Sequence, residues 1–349
     1  MAQRLHDVRR ALGLTQQQLA TQVGVSRQLI SAIEAGRTQP SLDLALSIAA
    51  TLHTSVETLF GNPLPSNVSW ATQVDATPRE MPVLCAQIDG HWWAYPAIES
   101  VHQEWADGLF VPKQNLQQGN LKWTETPPTT LVAAGCDPAL GLLGKAFQRH
   151  FQVRWLFFNR GSEQALRALH TGQLHLAAVH DADAEELAVS STIPAVTRIV
   201  LAHWPMGLAV APGNPLYLRD IEALARPDLR IAIREPGSTA RRWFDQQWAL
   251  LSIDHNDQPR RFVVTSHRAV AEAVAAGLAD AGLTTEAAAR QAGCAFVPLV
   301  WQRCEVWIDR QKVNADHLSA IVDILQGTLF RHQLIALSGY DTVHTGEVL

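Results

Sequence analysis

Four short stretches in the C-terminal two thirds of the chain carry residue types that can hold a small anion. They are Gly135-Cys136-Asp137, Gly161-Ser162, Gly237-Ser238-Thr239 and Thr265-Ser266-His267, each at the point where an apolar run gives way to a helical one. Glycine, present in three of them, lets the backbone approach a ligand, and a small hydroxyl or thiol residue at a helix start leaves amide N–H groups pointing outward. Several such starts facing one another suit a tetrahedral dianion held without much counter-charge. Any one of them alone is ordinary helix capping, which Ser and Thr favour; four in one style argue for a shared ligand. His180, at a strand end, and His267 add donors that strengthen below their pKa. Arg241, one turn into the helix after Gly237, either supplies a fixed charge to the anion or pairs with Asp245 at i, i+4.

A second chemistry stands near the N-terminus. Thr15 to Arg37, TQQQLATQVGVSRQLISAIEAGR, reads as two short helices joined at Gly24, the second opening at Ser26, whose hydroxyl caps it. Leu19, Ala20, Val23, Val25, Ile30 and Ile33 make a shared apolar face, which leaves Arg27, Gln28, Ser31 and Glu34 outward. A helix that opens with Arg and Gln presents long, forked donors at the end that enters the major groove and meets base edges. Double-stranded DNA is therefore the expected partner.

Composition limits the other readings. The net charge of -5 over 349 residues is no basic tail, so DNA affinity must come from a local surface and from dimerisation. The chain has no run of eighteen apolar residues and no signal-peptide core at its start, so a soluble, cytoplasmic protein with no membrane partner is expected. Cys85, Cys136, Cys294 and Cys304 form no C-x-x-C pair, which argues against a zinc site or a disulfide framework, and no cofactor is expected. Cys136, Asp137 and His180 could make a thiol nucleophile with its base, but an acid beside the cysteine raises the thiol pKa, so an enzyme is the remote reading.

These residues need three bodies to position them. Residues 1–62 read as a helical DNA-binding domain, ended by Gly61 to Pro65. Residues 66–126 read as a small β connector rich in tryptophan, with two alternating runs around Asp89-Gly90 suited to a hairpin and a further strand in ADGLFVPK. Residues 129–338 alternate strands and helices in α/β fashion with largely parallel strands. The strands expected are 131–134, 153–158, 174–179, 196–202, 207–211, 229–233, 262–265, 278–282 and 296–299, with helices near 138–149, 163–170, 238–250, 268–276, 285–292 and 315–325. In such sheets ligands sit beyond the carboxyl ends of the strands, where the four junctions lie.

The first sixty residues resemble the phage-repressor-like (Xre) helix-turn-helix family, by GVSRQ at Gly24 to Gln28, IEAGR at Ile33 to Arg37 and PSLDLALSIA at Pro40 to Ala49. The resemblance implies that Gln16 touches a phosphate, that Arg27 and Gln28 read bases, and that Arg37, Thr38 and Gln39 sit near the DNA backbone. It also implies a homodimer on an inverted-repeat operator. Residues 129–338 resemble a two-lobed type II periplasmic-binding-protein-like domain of the molybdate-binding class, used in cytoplasmic regulators as an effector sensor. The carrying segments are GCDPALGLL (Gly135 to Leu143), NRGSEQALRAL (Asn159 to Leu169), the strand ending Val179-His180-Asp181, REPGSTARRWFD (Arg234 to Asp245) and SHRAVAEAVAAGLADAGLTTEA (Ser266 to Ala287).

By that resemblance Cys136 stands where oxyanion-binding relatives put a serine, and Ser162 matches their second serine. Ser238 falls in a junction that offers a backbone amide, Val270 starts the helix offering another, and Thr285 sits where the relatives place a tyrosine. Cysteine is a weak donor and threonine reaches less far than tyrosine, two departures that bear on which anion is bound. The expected function is a ligand-responsive transcriptional regulator sensing a small oxyanion, molybdate or tungstate first, with an organic metabolite or a molybdenum-cofactor-like pterin as the alternative. Crossovers between lobes are expected near 202–206 and 283–286.

Overall fold

The structure is a computed structural model that describes residues 2–60, 64–71, 79–101, 104–113, 117–180, 195–251 and 260–349. Residues 61–63 of the first expected boundary and Asp181 of the third quoted segment lie outside these. The chain divides into two compact units, Met1–Asn67 with Leu121–Thr126 and Val68–Asn120 with Pro127–Leu349.

The first unit carries five helices, α1 (Ala2–Ala11), α2 (Gln16–Gln22), α3 (Arg27–Glu34), α4 (Leu42–Thr51) and α5 (Val56–Phe60). Their starts are written locally: Thr15 and Gln18 form a reciprocal capping box, and Ser26 and Ser41 accept from the third amide of α3 and α4. Gly24 takes a φ of 72° between α2 and α3. Leu5, Leu19, Ile30, Ile33, Ile48 and Leu59 close one core, with Val23 and Val25 packed against it.

Five strands, β1 (Asn67–Trp70), β2 (Met81–Ile88), β3 (His91–Pro96), β4 (Gly108–Pro112) and β5 (Gln118–Trp123), form a closed barrel in the order β1-β3-β2-β4-β5. The β2–β3 hairpin turns at Asp89-Gly90 with φ of 50° and 76°, the positive pair of a two-residue turn. Within the second unit, barrel residues Leu84, Ile88 and Tyr95 share a core with Val132, Leu156, Phe158 and Trp307 of the larger sheet. Arg154 adds a polar tie there: it donates to both oxygens of the fully buried Asp107 at 2.7 and 2.8 Å and to the Cys85 carbonyl at 2.7 Å.

The larger sheet has eight strands in the order β11-β10-β12-β9-β13-β8-β6-β7. They are β6 (Thr130–Gly135), β7 (Arg154–Asn159), β8 (Leu176–His180), β9 (Val196–Val210), β10 (Arg230–Arg234), β11 (Arg260–Val264), β12 (Ala281–Thr285) and β13 (Ala295–Asp309). The helices are α6 (Ala139–Gln148), α7 (Ser162–His170), α8 (Thr239–Leu250), α9 (His267–Ala275), α10 (Glu286–Gln291), α11 (Ala315–Gln326) and α12 (Thr328–Ala336). Parallel groups β7-β6-β8 and β11-β10-β12 make two lobes, joined through β9 and β13, which run antiparallel to each other along fifteen residues each. Among the described residues no helix is long and apolar enough to cross a membrane.

Several expectations are corrected here. The strands expected at 196–202 and 207–211 are one, β9, because β13 accompanies it throughout: Pro205 pairs with Trp301, and the register shifts at Pro298/Val300 and Cys304/Glu305 lie on either side of that pair. For the same reason the strand expected at 296–299 continues to Asp309, and the central strands are antiparallel to their neighbours. The second crossover lies in β13, near 300–304, while 283–286 is the β12–α10 junction inside the second lobe. The strand expected at 278–282 starts at Ala281, after an exposed Leu278, and α12 was not expected at all. Beyond α12 the chain returns to β9: His203 and Asp341 exchange backbone bonds at 3.0 and 2.7 Å, and the Leu349 amide donates to the Arg198 carbonyl at 2.9 Å.

His175 shows how closely the first lobe is packed. Its ring Nδ1 accepts from the Val132 amide at 3.0 Å, and burial, with the positive charge of Lys312 second, pushes its pKa down to about 4. The unfolded chain therefore takes up this proton first as pH falls. Stability from His175 is complete above about pH 6.5 and declines as pH drops towards 4. The urea midpoint should fall across that window, and His175→Gln should flatten the decline while lowering stability at neutral pH by about 1–3 kcal/mol. An unchanged pH slope in the variant would count against this assignment.

Candidate functional site

On the DNA side, Arg27, Gln28, Arg37, Thr38 and Gln39 are exposed and Ser31 is half-buried, with Ser26 accepting from the Leu29 amide at 3.2 Å. Arg27, Gln28, Ser31 and Arg37 line one shallow depression, so the α3 N-terminus and the exit of the motif present their donors to the same side. One expectation fails. Glu34 does not face outward: it is buried and accepts from Arg9 Nε at 2.6 Å and Nη2 at 3.0 Å. Gln16, expected on a phosphate, donates its amide to Glu34 Oε2 at 2.8 Å. Arg9 also donates to the Leu14 carbonyl at 2.6 Å, so one buried guanidinium ties α1, α3 and the turn before α2 together. Burial pushes the Glu34 carboxyl up, but the hydrogen bonds from Arg9 and Gln16 and the Arg9 charge outweigh it and hold its pKa below the usual range.

In the second unit, the Gly161 and Gly237 junctions meet across the two lobes. A Cβ at Gly161 would lie 3.1 Å from the Gly237 carbonyl, and Gly237 itself has a φ of 85°. Ser162 and Thr239 face each other at 3.1 Å between hydroxyls; Ser162 also accepts from the His180 amide at 3.2 Å, and Thr239 donates to the His180 carbonyl at 3.4 Å. Ser162, Ser238 and His180 are almost wholly buried. This is a latch between lobes built from residues expected to touch a ligand.

Others of the expected set are occupied by local structure. Ser238 donates to the Glu235 carbonyl at 3.0 Å and accepts from the Arg241 amide at 3.2 Å. The Val270 amide is bonded to the Ser266 carbonyl at 3.1 Å, so it offers nothing outward. Asp137 Oδ1 accepts from the Ala139 amide and from the Tyr340 hydroxyl, both at 2.8 Å. Of the two readings of Arg241, the pairing with Asp245 is the one present, at 2.8 and 2.9 Å.

Cys136, Asp137, Ser266, His267 and Thr285 line a cavity of about 420 Å³, with Lys145 and Arg268 among its walls. Thr285 accepts from the Ala288 amide at 3.3 Å, capping α10. Cys136 Sγ lies 3.4 Å from His180 Nε2. The His180 and Trp204 rings meet edge to face at 4.9 Å, and Trp204 meets His267 at 5.8 Å. Burial, with the charge of Arg234 second, pushes the His267 pKa down to about 4, so at neutral pH it is an uncharged donor and acceptor.

The residue missed from sequence is Arg234, the last of β10. Its side chain is almost fully buried; Nε and Nη2 bind the Glu235 carboxylate at 2.8 and 2.7 Å, while the buried Nη1 meets no acceptor. Burial opposes its charge, and the Glu235 carboxylate and the nearby Cys136 more than offset this. Its place at the end of a strand, immediately before a Gly-containing junction, was the available signal, and Arg241 drew it away.

A helix-turn-helix family model matches residues 5–59, and a PBP superfamily domain model matches residues 144–326. The chain belongs to the PBP superfamily through this domain and is a helix-turn-helix regulator with a PBP-like ligand-binding domain. It is 31% identical over 229 residues to the uncharacterized protein YvgK of Bacillus subtilis (strain 168), covering 63% of this chain and 73% of that one. It is 54% identical over 48 residues to an uncharacterized HTH-type transcriptional regulator of Methanothermobacter thermautotrophicus, covering 14% and 70%. Among solved structures, a phosphate-bound ABC-transporter substrate-binding protein of Clostridium perfringens superposes with a TM-score of 0.50 at 11% identity, covering 61% and 98%, a likeness of fold.

The Arg9–Glu34 pair yields a stability test. Glu34→Ala would leave a buried guanidinium unpaired and should destabilise the helical domain by about 3–5 kcal/mol. Chemical denaturation of the full chain followed by far-ultraviolet circular dichroism would register an earlier helical transition; Arg27→Ala, an exposed change, should leave it within about 0.5 kcal/mol.

Proposed function

We propose that the chain is a dimeric regulator that binds an inverted-repeat operator through α3 and senses an anion in the cleft of its PBP-like domain. The observation that carries this reading is Arg234, a buried, charged guanidinium with one terminus unsatisfied beside Cys136 and His267. A buried donor left without a partner is costly, and an anion reaching it from the cavity would supply that partner in a low-dielectric setting. Molybdate and tungstate are the first ligands to test. A second reading, an organic anion whose body fills the cavity, is favoured by its volume of about 420 Å³ and by the apolar Leu142, Phe157 and Leu337 in its walls. No catalytic step is assigned.

The Ser162–Thr239–His180 latch supports an open-to-closed sensor, since parting the lobes would hand those groups to water. A ligand bound only in the closed state deepens that state in proportion to its occupancy. The first lobe shares its core with the barrel, so the two would move together and carry the signal.

Thermal unfolding of the full chain with an excess of chelator tests the ligand. At a hundredfold excess over Kd, the bound oxyanion should add about 2.7 kcal/mol of stability, and Arg234→Met should abolish the gain. Silence towards molybdate, tungstate, phosphate and sulfate alike would remove the oxyanion and leave the organic anion. On DNA, Arg27→Ala should lose about 1–3 kcal/mol on the specific operator and relax preference at one base pair. Equal weakening on operator and random DNA would mean that Arg27 reads no base.

A further inference from the structure

At the cavity wall, Asp137, His180 and Cys304 bring one carboxylate, one imidazole and one thiol together, with their ligand atoms all within 4.8 Å of one another and all three residues buried. We infer that they form a binding site for a borderline-soft first-row dication, zinc before the others. The site goes beyond the anion reading and stands without Arg234 or Ser162.

Three features support it. The ligands come from rigid elements: His180 ends β8, Cys304 is its directly paired residue on β13, and Asp137 follows β6 on the neighbouring strand. The β13 ladder to β9 shifts register between Cys304 and Glu305, and bulges of this kind re-aim a side chain beside functional sites. Asp137 is oriented as a ligating carboxylate is, its Oδ1 held by the Ala139 amide and the Tyr340 hydroxyl at 2.8 Å each.

Cys136 borders the group on the His180 side, its Sγ 3.4 Å from His180 Nε2, and is not one of its three ligands. Thiolate with imidazole and carboxylate selects zinc-like ions over magnesium or calcium, which prefer oxygen alone. A dication also offsets the negative charges that a thiolate and a carboxylate would place in this buried region. The sequence conceals the site because Asp137, His180 and Cys304 are scattered along the chain and belong to no spacing motif.

Cobalt(II) is the probe, added to the full chain after chelator treatment and with no oxyanion present. One equivalent per chain should produce a thiolate-to-cobalt charge-transfer band, and one equivalent of zinc should bleach it. Cys304→Ser should weaken zinc binding at least tenfold and reduce the band, His180→Gln should do the same, and Cys294→Ser, away from the site, should change neither. A wild-type chain that gives no charge-transfer band overturns the proposal, whatever the variants do. So does a band of full intensity in Cys304→Ser. Because the oxyanion titration is run in chelator and this one without oxyanion, each reading can fail alone.

Discussion

The sensor depends on one constraint, the antiparallel pairing of β9 with β13. Each strand runs fifteen residues, giving one half to each lobe, so the parallel groups on either side hang from the same two chains. The strands lie so close that a Cβ at Gly207 would come within 2.0 Å of the Val297 carbonyl. Fixing this pair fixes which strand ends face each other, and hence that the Gly161 and Gly237 junctions meet while Cys136 and His267 border a cavity.

What was legible in the sequence was local. Helix starts at Thr15, Ser26 and Ser238 can be read because a cap and its target amide lie two or three residues apart. The hairpin at Asp89-Gly90 is equally self-contained. Partners set by distant packing were not legible: Glu34 reads as a surface carboxylate until α1 brings Arg9 against it, and the Ser162 hydroxyl meets Thr239 only once the other lobe is folded beside it. Arg234 and Arg241 are seven residues apart with similar credentials, and only burial separates them. Pro205 interrupts a strand pattern in one dimension, whereas the neighbouring strand keeps it extended in three.

The barrel illustrates the same limit differently. Its tryptophan and short alternating runs indicate strands but say nothing of what they lean on. Asp107 is wholly buried, a position such a group occupies only when paired, and Arg154 from β7 is what pairs it. The bidentate contact, with Tyr95 donating to the Gln173 carbonyl at 2.6 Å, makes the barrel and the first lobe one mechanical piece.

The C-terminal return gives that piece a brace. Leu349 bonds Arg198, Gly346 and Glu347 bond Val200, and Asp341 bonds His203, so the returning chain splints β9 over its first half and ends its grip one residue before Trp204. The splint stops short of Trp204, Pro205 and Met206, which are held in the sheet by β13 and β12 instead. There Pro205 contributes no amide to the ladder, and the indole of Trp204 is wedged between the imidazoles of His180 and His267, one from each lobe. The splint thus stiffens one half of a long strand and leaves the aromatic contacts of Trp204 as what holds the next stretch of it between the lobes.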